Sequence, residues 1–65
     1  MVIRIREVRE SQGLNQRQLA EKTHIPQSLI SDIERGVRKA WPRAARKIAH
    51  VLDTPESDLF PGQQE

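Results

Sequence analysis

Four polar side chains between residues 27 and 32 have the types and spacing to form hydrogen bonds along one outer helix face: Gln27, Ser28, Ser31 and Asp32. A glutamine amide presents one acceptor and two donors in a plane, which matches the acceptor and donor of adenine in the DNA major groove. Serine can bond a base or a phosphate, and aspartate can accept from the cytosine amino group. We therefore predict that these residues contact DNA bases. The alternative for Gln27 is that it is simply a solvent-exposed glutamine at the start of a helix.

A basic segment follows this polar face. The chain has a formal net charge of only +2, which is a weak argument for nucleic acid, but the charges are unevenly placed. Residues 35–51 contain only basic charged side chains, as expected of a flank that contacts phosphates, although a solvated basic face would look similar. The residues of this segment predicted to contact phosphates are Arg35, Arg38, Lys39 and Arg43.

Two short amphipathic helices joined by a tight break must position these side chains. Leu19 and Ala20 form the inward face of the first helix, and Ile30 and Ile33 form that of the second. Ile25 lies in the break, where it can fill the angle between the helices. This pattern predicts a helix-turn-helix over residues 15–35, an arrangement that can lay its second helix into the major groove.

Local signals set the predicted boundaries of the first three helices. The first helix is expected from about Ile3 to Gln12, where Gly13 ends it. Asn15 and Gln18 have the spacing of a capping box, so the second helix begins there and ends near residue 23. The third helix is expected to start at residue 26 or 27 and end near residue 35, with Gly36 as its stop.

The C-terminal half predicts two further helices. Pro42 is suited to the first position of a fourth helix, which continues to about Leu52. Thr54 is predicted to cap a fifth helix, with Pro55 at its first position and its end near Phe60. Residues 61–65 are expected to form a polar tail.

The segment 14–36, LNQRQLAEKTHIPQSLISDIERG, resembles the helix-turn-helix of the Cro/C1 (XRE-type) repressor family. The resemblance extends over about residues 3–60 and implies an all-α, five-helix lambda-repressor-like domain occupying residues 1–65. The residues at matching places in the motif are Leu14, Gln16, Leu19, Ala20, Ile30, Ser31, Ile33, Glu34 and Gly36.

The resemblance also implies roles for individual residues. Gln16 would bond a phosphate and support Gln27, and the neighbouring Arg17 would be a further phosphate contact. Arg9 and Glu34 would form a partly buried structural salt bridge. The chain departs from the family pattern in the turn between the two helices. His24 replaces a common glycine, so the resemblance implies a positive backbone angle at His24. Pro26 replaces a capping serine or threonine.

The function implied is that of a sequence-specific double-stranded DNA-binding transcription regulator, a repressor acting as a homodimer on a palindromic operator. Three settings fit: a phage or mobile-element repressor, a restriction–modification controller, or a DNA-binding antitoxin. An antitoxin or anti-regulator that binds a protein partner and has weak DNA affinity is the alternative. The dimer-interface candidates are Trp41, Val51, Leu59 and Phe60, with Trp41 otherwise covering the edge of the core.

Other classes of function find no support in the residues. The chain contains no cysteine, and neither His24 nor His50 has a partner at metal-ligand spacing. We expect no metal, cofactor or small-molecule ligand, and no enzymatic activity, because no nucleophile is paired with a base. The chain has no apolar run long enough for a membrane helix, so a cytoplasmic protein of bacterial, phage or mobile-element origin is expected.

Overall fold

Residues 3–61, the part of the chain that the computed structural model describes, fold into helices joined by short turns and loops. The predicted all-α, five-helix fold is confirmed. The helices are α1 (Ile5–Ser11), α2 (Gln16–Thr23), α3 (Gln27–Glu34), α4 (Pro42–Leu52) and α5 (Glu56–Leu59). Apart from residue 61, the predicted polar tail lies outside the described residues.

The start of α2 and the turn after it follow the predicted local chemistry. The Asn15 side chain accepts from the Gln18 amide at 2.7 Å, and the Gln18 side chain accepts from the Asn15 amide at 2.9 Å. The capping box is therefore confirmed. His24 adopts φ 60° and ends α2, so a side chain occupies a left-handed position that glycine would adopt with less strain.

The boundaries of the other helices agree only partly with those predicted from the sequence. Pro42 is the first residue of α4, as predicted, and Gly36 has φ +77° after the end of α3. The predicted cap of α5 is wrong, because the Thr54 hydroxyl donates back to the Leu52 carbonyl at 2.9 Å. Pro55 precedes α5 instead of opening it, and that helix has no side-chain cap.

The core is formed by aliphatic side chains from all five helices and by one aromatic ring. Helix α2 packs against both α3 and α4, and α4 packs against α5. The larger fully buried core side chains are Ile5, Leu19, Ile30, Ile33, Ile48, Leu52, Leu59 and Phe60. Ile25 is also buried, so it fills the angle between α2 and α3 as predicted.

The two ends of the described chain are tied together. The Arg4 amide donates to the Leu59 carbonyl at 2.9 Å, and Arg4 itself has the non-helical angles φ −109° and ψ 14°, so α1 begins at Ile5, later than predicted. The Gln12 side-chain amide donates to the Leu52 carbonyl at 2.6 Å and links the end of α1 to the end of α4. The bond from Arg4 ties the end of α5 to the start of α1, and the apolar side chains at that end, Leu59 and Phe60, belong to the core.

Candidate nucleic-acid interface

The N-terminal end of α3 presents side-chain and backbone donors on the same surface. Gln27 and Ser28 are exposed, while Ser31 and Asp32 are half-buried. Pro26 precedes the helix and supplies no side-chain cap, and its carbonyl accepts from the amides of residues 29 and 30. The amides of Gln27 and Ser28 have no acceptor within residues 3–61, so they can donate to an external oxygen.

Asp32, whose negative charge would repel a nucleic acid, is paired within the same helix. The Arg35 guanidinium donates to the Asp32 carboxylate at 2.6 Å, with Arg35 the more exposed of the two. The Asp32 carbonyl also accepts from the amides of Val37 and Arg38, which fixes the chain as it leaves α3. The ion pair offsets the carboxylate charge and limits the freedom of Asp32 to accept from a cytosine.

Gln16 is joined to the end of α3 through the ion pair that the resemblance implied. Arg9 Nε lies 2.8 Å from Glu34 Oε2, and both side chains are more than nine-tenths buried. Gln16 Nε2 donates to the other carboxylate oxygen of Glu34 at 3.1 Å. Glu34 therefore holds the first residue of α2 in place, a contact that sequence reasoning missed. The only signal was the matching position of both residues in the motif.

The predicted phosphate contacts differ in what they already bind. Arg17 lies 3.6 Å from Glu21, and both side chains are largely exposed, so the pair is weak and easily exchanged for a phosphate. Arg38, Lys39 and Arg43 are exposed, and none of them belongs to an ion pair of the described residues. The loop between α3 and α4 thus carries free positive charge next to the polar face of α3.

The predicted dimer residues divide into exposed and buried ones. Leu59 and Phe60 are fully buried, because α5 packs them into the core of their own chain. Their side chains cannot contact a second copy, and their assignment to the interface is wrong. Trp41 is 39% exposed, whereas Val51 is half-buried and packs against the core. Val37, which was not predicted, is 70% exposed in the same loop as Trp41.

Two further features, a metal-binding cluster and a membrane-spanning helix, are absent from the described part of the chain. Between residues 3 and 61, no three histidine, cysteine, aspartate or glutamate side chains lie close enough together to hold a metal ion. None of the helices in that range has both the length and the apolar character needed to span a bilayer.

Comparison with known proteins places this chain in a family. A helix-turn-helix family model, HTH_3, matches residues 5–59. A relative from Archaeoglobus fulgidus, described as an uncharacterized HTH-type transcriptional regulator, is 38% identical over 60 residues, which cover 92% of this chain and 86% of the relative. No solved structure matches the chain significantly. The chain therefore belongs to the helix-turn-helix family of the Cro/C1 (XRE) type.

Proposed function

We propose that this protein is a sequence-specific double-stranded DNA-binding transcription regulator, and that it represses by covering a promoter. The observation that carries the proposal is the exposed N-terminal end of α3, where Gln27 and two unbonded backbone amides share a surface. The unpaired cations of the following loop support it, because they can neutralise phosphates beside the base contacts. The description of the Archaeoglobus fulgidus relative as a transcriptional regulator agrees with it.

We also propose that the regulator binds as a homodimer. An eight-residue recognition helix offers few base contacts, so two copies on a two-fold operator supply the affinity and specificity that one lacks. The exposed Val37 and Trp41 in the loop after α3 are the apolar residues best placed to meet a second copy. A regulator of this kind acts where the DNA lies, which in a bacterial cell is the cytoplasm.

Selection of bound duplexes from a random DNA library at near-physiological salt tests the function. We expect a palindrome whose half-site centres lie about one helical turn, roughly 34 Å, apart. Such a motif would demonstrate specific binding and two-fold symmetry together. Recovery of no motif, with only salt-sensitive binding to all duplexes, would contradict the proposal and favour a domain that binds a protein partner.

Replacement of Gln27 by alanine should relax the preference at one base pair of each half-site. The variant loses a planar pair of hydrogen bonds to a base, which is worth about 1–3 kcal/mol of discrimination. The advantage of the preferred base should therefore fall by roughly five- to 150-fold in a competition binding assay. The melting temperature should hardly change, because Gln27 is exposed and alanine favours a helix.

Arg43→Ala, which removes a proposed phosphate contact instead of a base contact, is the comparison for Gln27→Ala. Arg43 is exposed in the first turn of α4 and forms no ion pair within the described residues. Loss of one phosphate contact should weaken binding to every duplex and flatten the log–log salt dependence by about 0.9. Uniform weakening by Gln27→Ala, or an unchanged salt slope for Arg43→Ala, would remove that residue from its proposed role.

A further inference from the structure

A groove of about 340 Å³ runs between the C-terminal end of α2 and the outer side of α4. It shares no lining residue with α3 or with the side chains proposed to contact DNA. Its volume is within the range of clefts that hold ligands or inserted side chains. The charged and titratable side chains along it are Lys22, His24, Arg46, Lys47 and His50.

The positive charge of this groove has no ion-pair partner among residues 3–61. Lys22, Arg46 and Lys47 take part in none of the ion pairs of residues 3–61, and no carboxylate lines the groove. On α1, by contrast, the exposed Arg6 is paired locally, with Glu10 at 3.3 Å. The groove is therefore complementary to a ligand that brings negative charge.

The floor of the groove is suited to an apolar group. Thr23 is buried, and its hydroxyl donates to the Leu19 carbonyl at 2.8 Å, so that donor is already satisfied. Val51 is half-buried and packs against the core. The methylene chains of the lysine and arginine side chains add further hydrocarbon to the walls. A bare phosphate would use the charges of the rim but not this floor.

We propose that the groove binds an acidic, amphipathic segment of a partner protein. An aliphatic or aromatic side chain of the segment enters between α2 and α4, and flanking carboxylates contact Lys22, Arg46 and Lys47. A DNA backbone is the less suitable occupant, because it offers phosphates to the rim and nothing apolar to the floor. Since the lining excludes α3, the partner segment and the operator can bind at the same time.

Fluorescence anisotropy with the full chain tests the proposal. The probe is a fluorescein-labelled peptide in which pairs of glutamates alternate with single leucines. The variant Lys22→Gln/Lys47→Gln should raise the Kd of the peptide roughly fivefold or more, since it removes two rim charges. The control Arg4→Gln/Arg6→Gln changes the net charge equally on α1, outside the groove, and should change the Kd less than about twofold.

Two further measurements locate the peptide and test the floor. Amide chemical shifts in NMR spectra should change at residues 22–24 and 46–51 when the peptide is added. Replacing its leucines by serines should weaken binding roughly fivefold, because the apolar floor then gains no partner. Far-UV circular dichroism checks that every variant remains folded.

Three outcomes would overturn the proposal. Equal weakening in both double variants would mean non-specific charge attraction. A DNA salt slope reduced by about 1.8 in Lys22→Gln/Lys47→Gln, without peptide binding, would make the groove a phosphate contact. Concentration-dependent self-association that this variant abolishes would make a second copy of the chain the occupant.

Discussion

Phe60→Ala is expected to destabilise the fold by about 3–5 kcal/mol, the usual cost of removing a buried aromatic side chain. Phe60 is the largest of the fully buried side chains, and it follows α5 directly. A chain of this length has a total stability of roughly 3–10 kcal/mol at the usual value per residue. The variant should therefore melt more than about 10 °C below the parent in far-UV circular dichroism.

Trp41→Ala is the matched control for an aromatic residue at the surface. Trp41 is 39% exposed whereas Phe60 is fully buried, so removal of Trp41 should lower the unfolding free energy of the single chain by less than removal of Phe60 does. Melting at several protein concentrations separates folding from association, since dimer formation makes the midpoint concentration-dependent. A Phe60→Ala variant that keeps its melting temperature but sediments as a monomer would restore Phe60 to the interface.

The sequence predicts those parts of the fold that depend on neighbouring residues. The capping box of Asn15 and Gln18, the positive φ of His24 and the first position of Pro42 each follow from chemistry within one helical turn. The Thr54 cap was wrong for a local reason as well, because a hydroxyl can donate to a preceding carbonyl as well as accept from a following amide.

The parts that the sequence does not predict depend on distant residues. From the sequence alone, Leu59 and Phe60 fit either a dimer interface or the core. Their burial depends on the position of α5, whose last carbonyl accepts from the distant Arg4 amide. The bond from Gln16 to Glu34 joins residues on different helices. The groove between α2 and α4 brings together basic residues that are more than twenty positions apart. In each case exposure or pairing is decided by helix packing, which local patterns do not specify.

Glu34→Ala is the second change expected to have a large effect on stability. The Glu34 side chain is 4% exposed and accepts from Arg9 Nε at 2.8 Å, from Arg9 Nη2 at 3.2 Å and from Gln16 Nε2 at 3.1 Å. Its removal leaves the Arg9 guanidinium, 7% exposed, with only the exposed Glu10 carboxylate, 3.9 Å from Arg9 Nη2, as a counter-charge. Breaking a buried pair in this way costs about 3–5 kcal/mol. Urea unfolding followed by circular dichroism measures the loss.

Two further variants distinguish the effect of the buried charge from other causes of the stability loss. Glu21→Ala breaks the exposed pair with Arg17 and touches no ion pair of Arg9, so it should cost less than about 1 kcal/mol. In Arg9→Met/Glu34→Leu, apolar side chains replace the pair, and much of the stability should return because no charge is left buried. If Glu34→Ala costs no more than Glu21→Ala, water reaches the Arg9 guanidinium, and Glu34 then acts chiefly by holding Gln16. In that event the variant would keep its melting temperature but lose DNA affinity, since Gln16 would no longer be fixed at the start of α2.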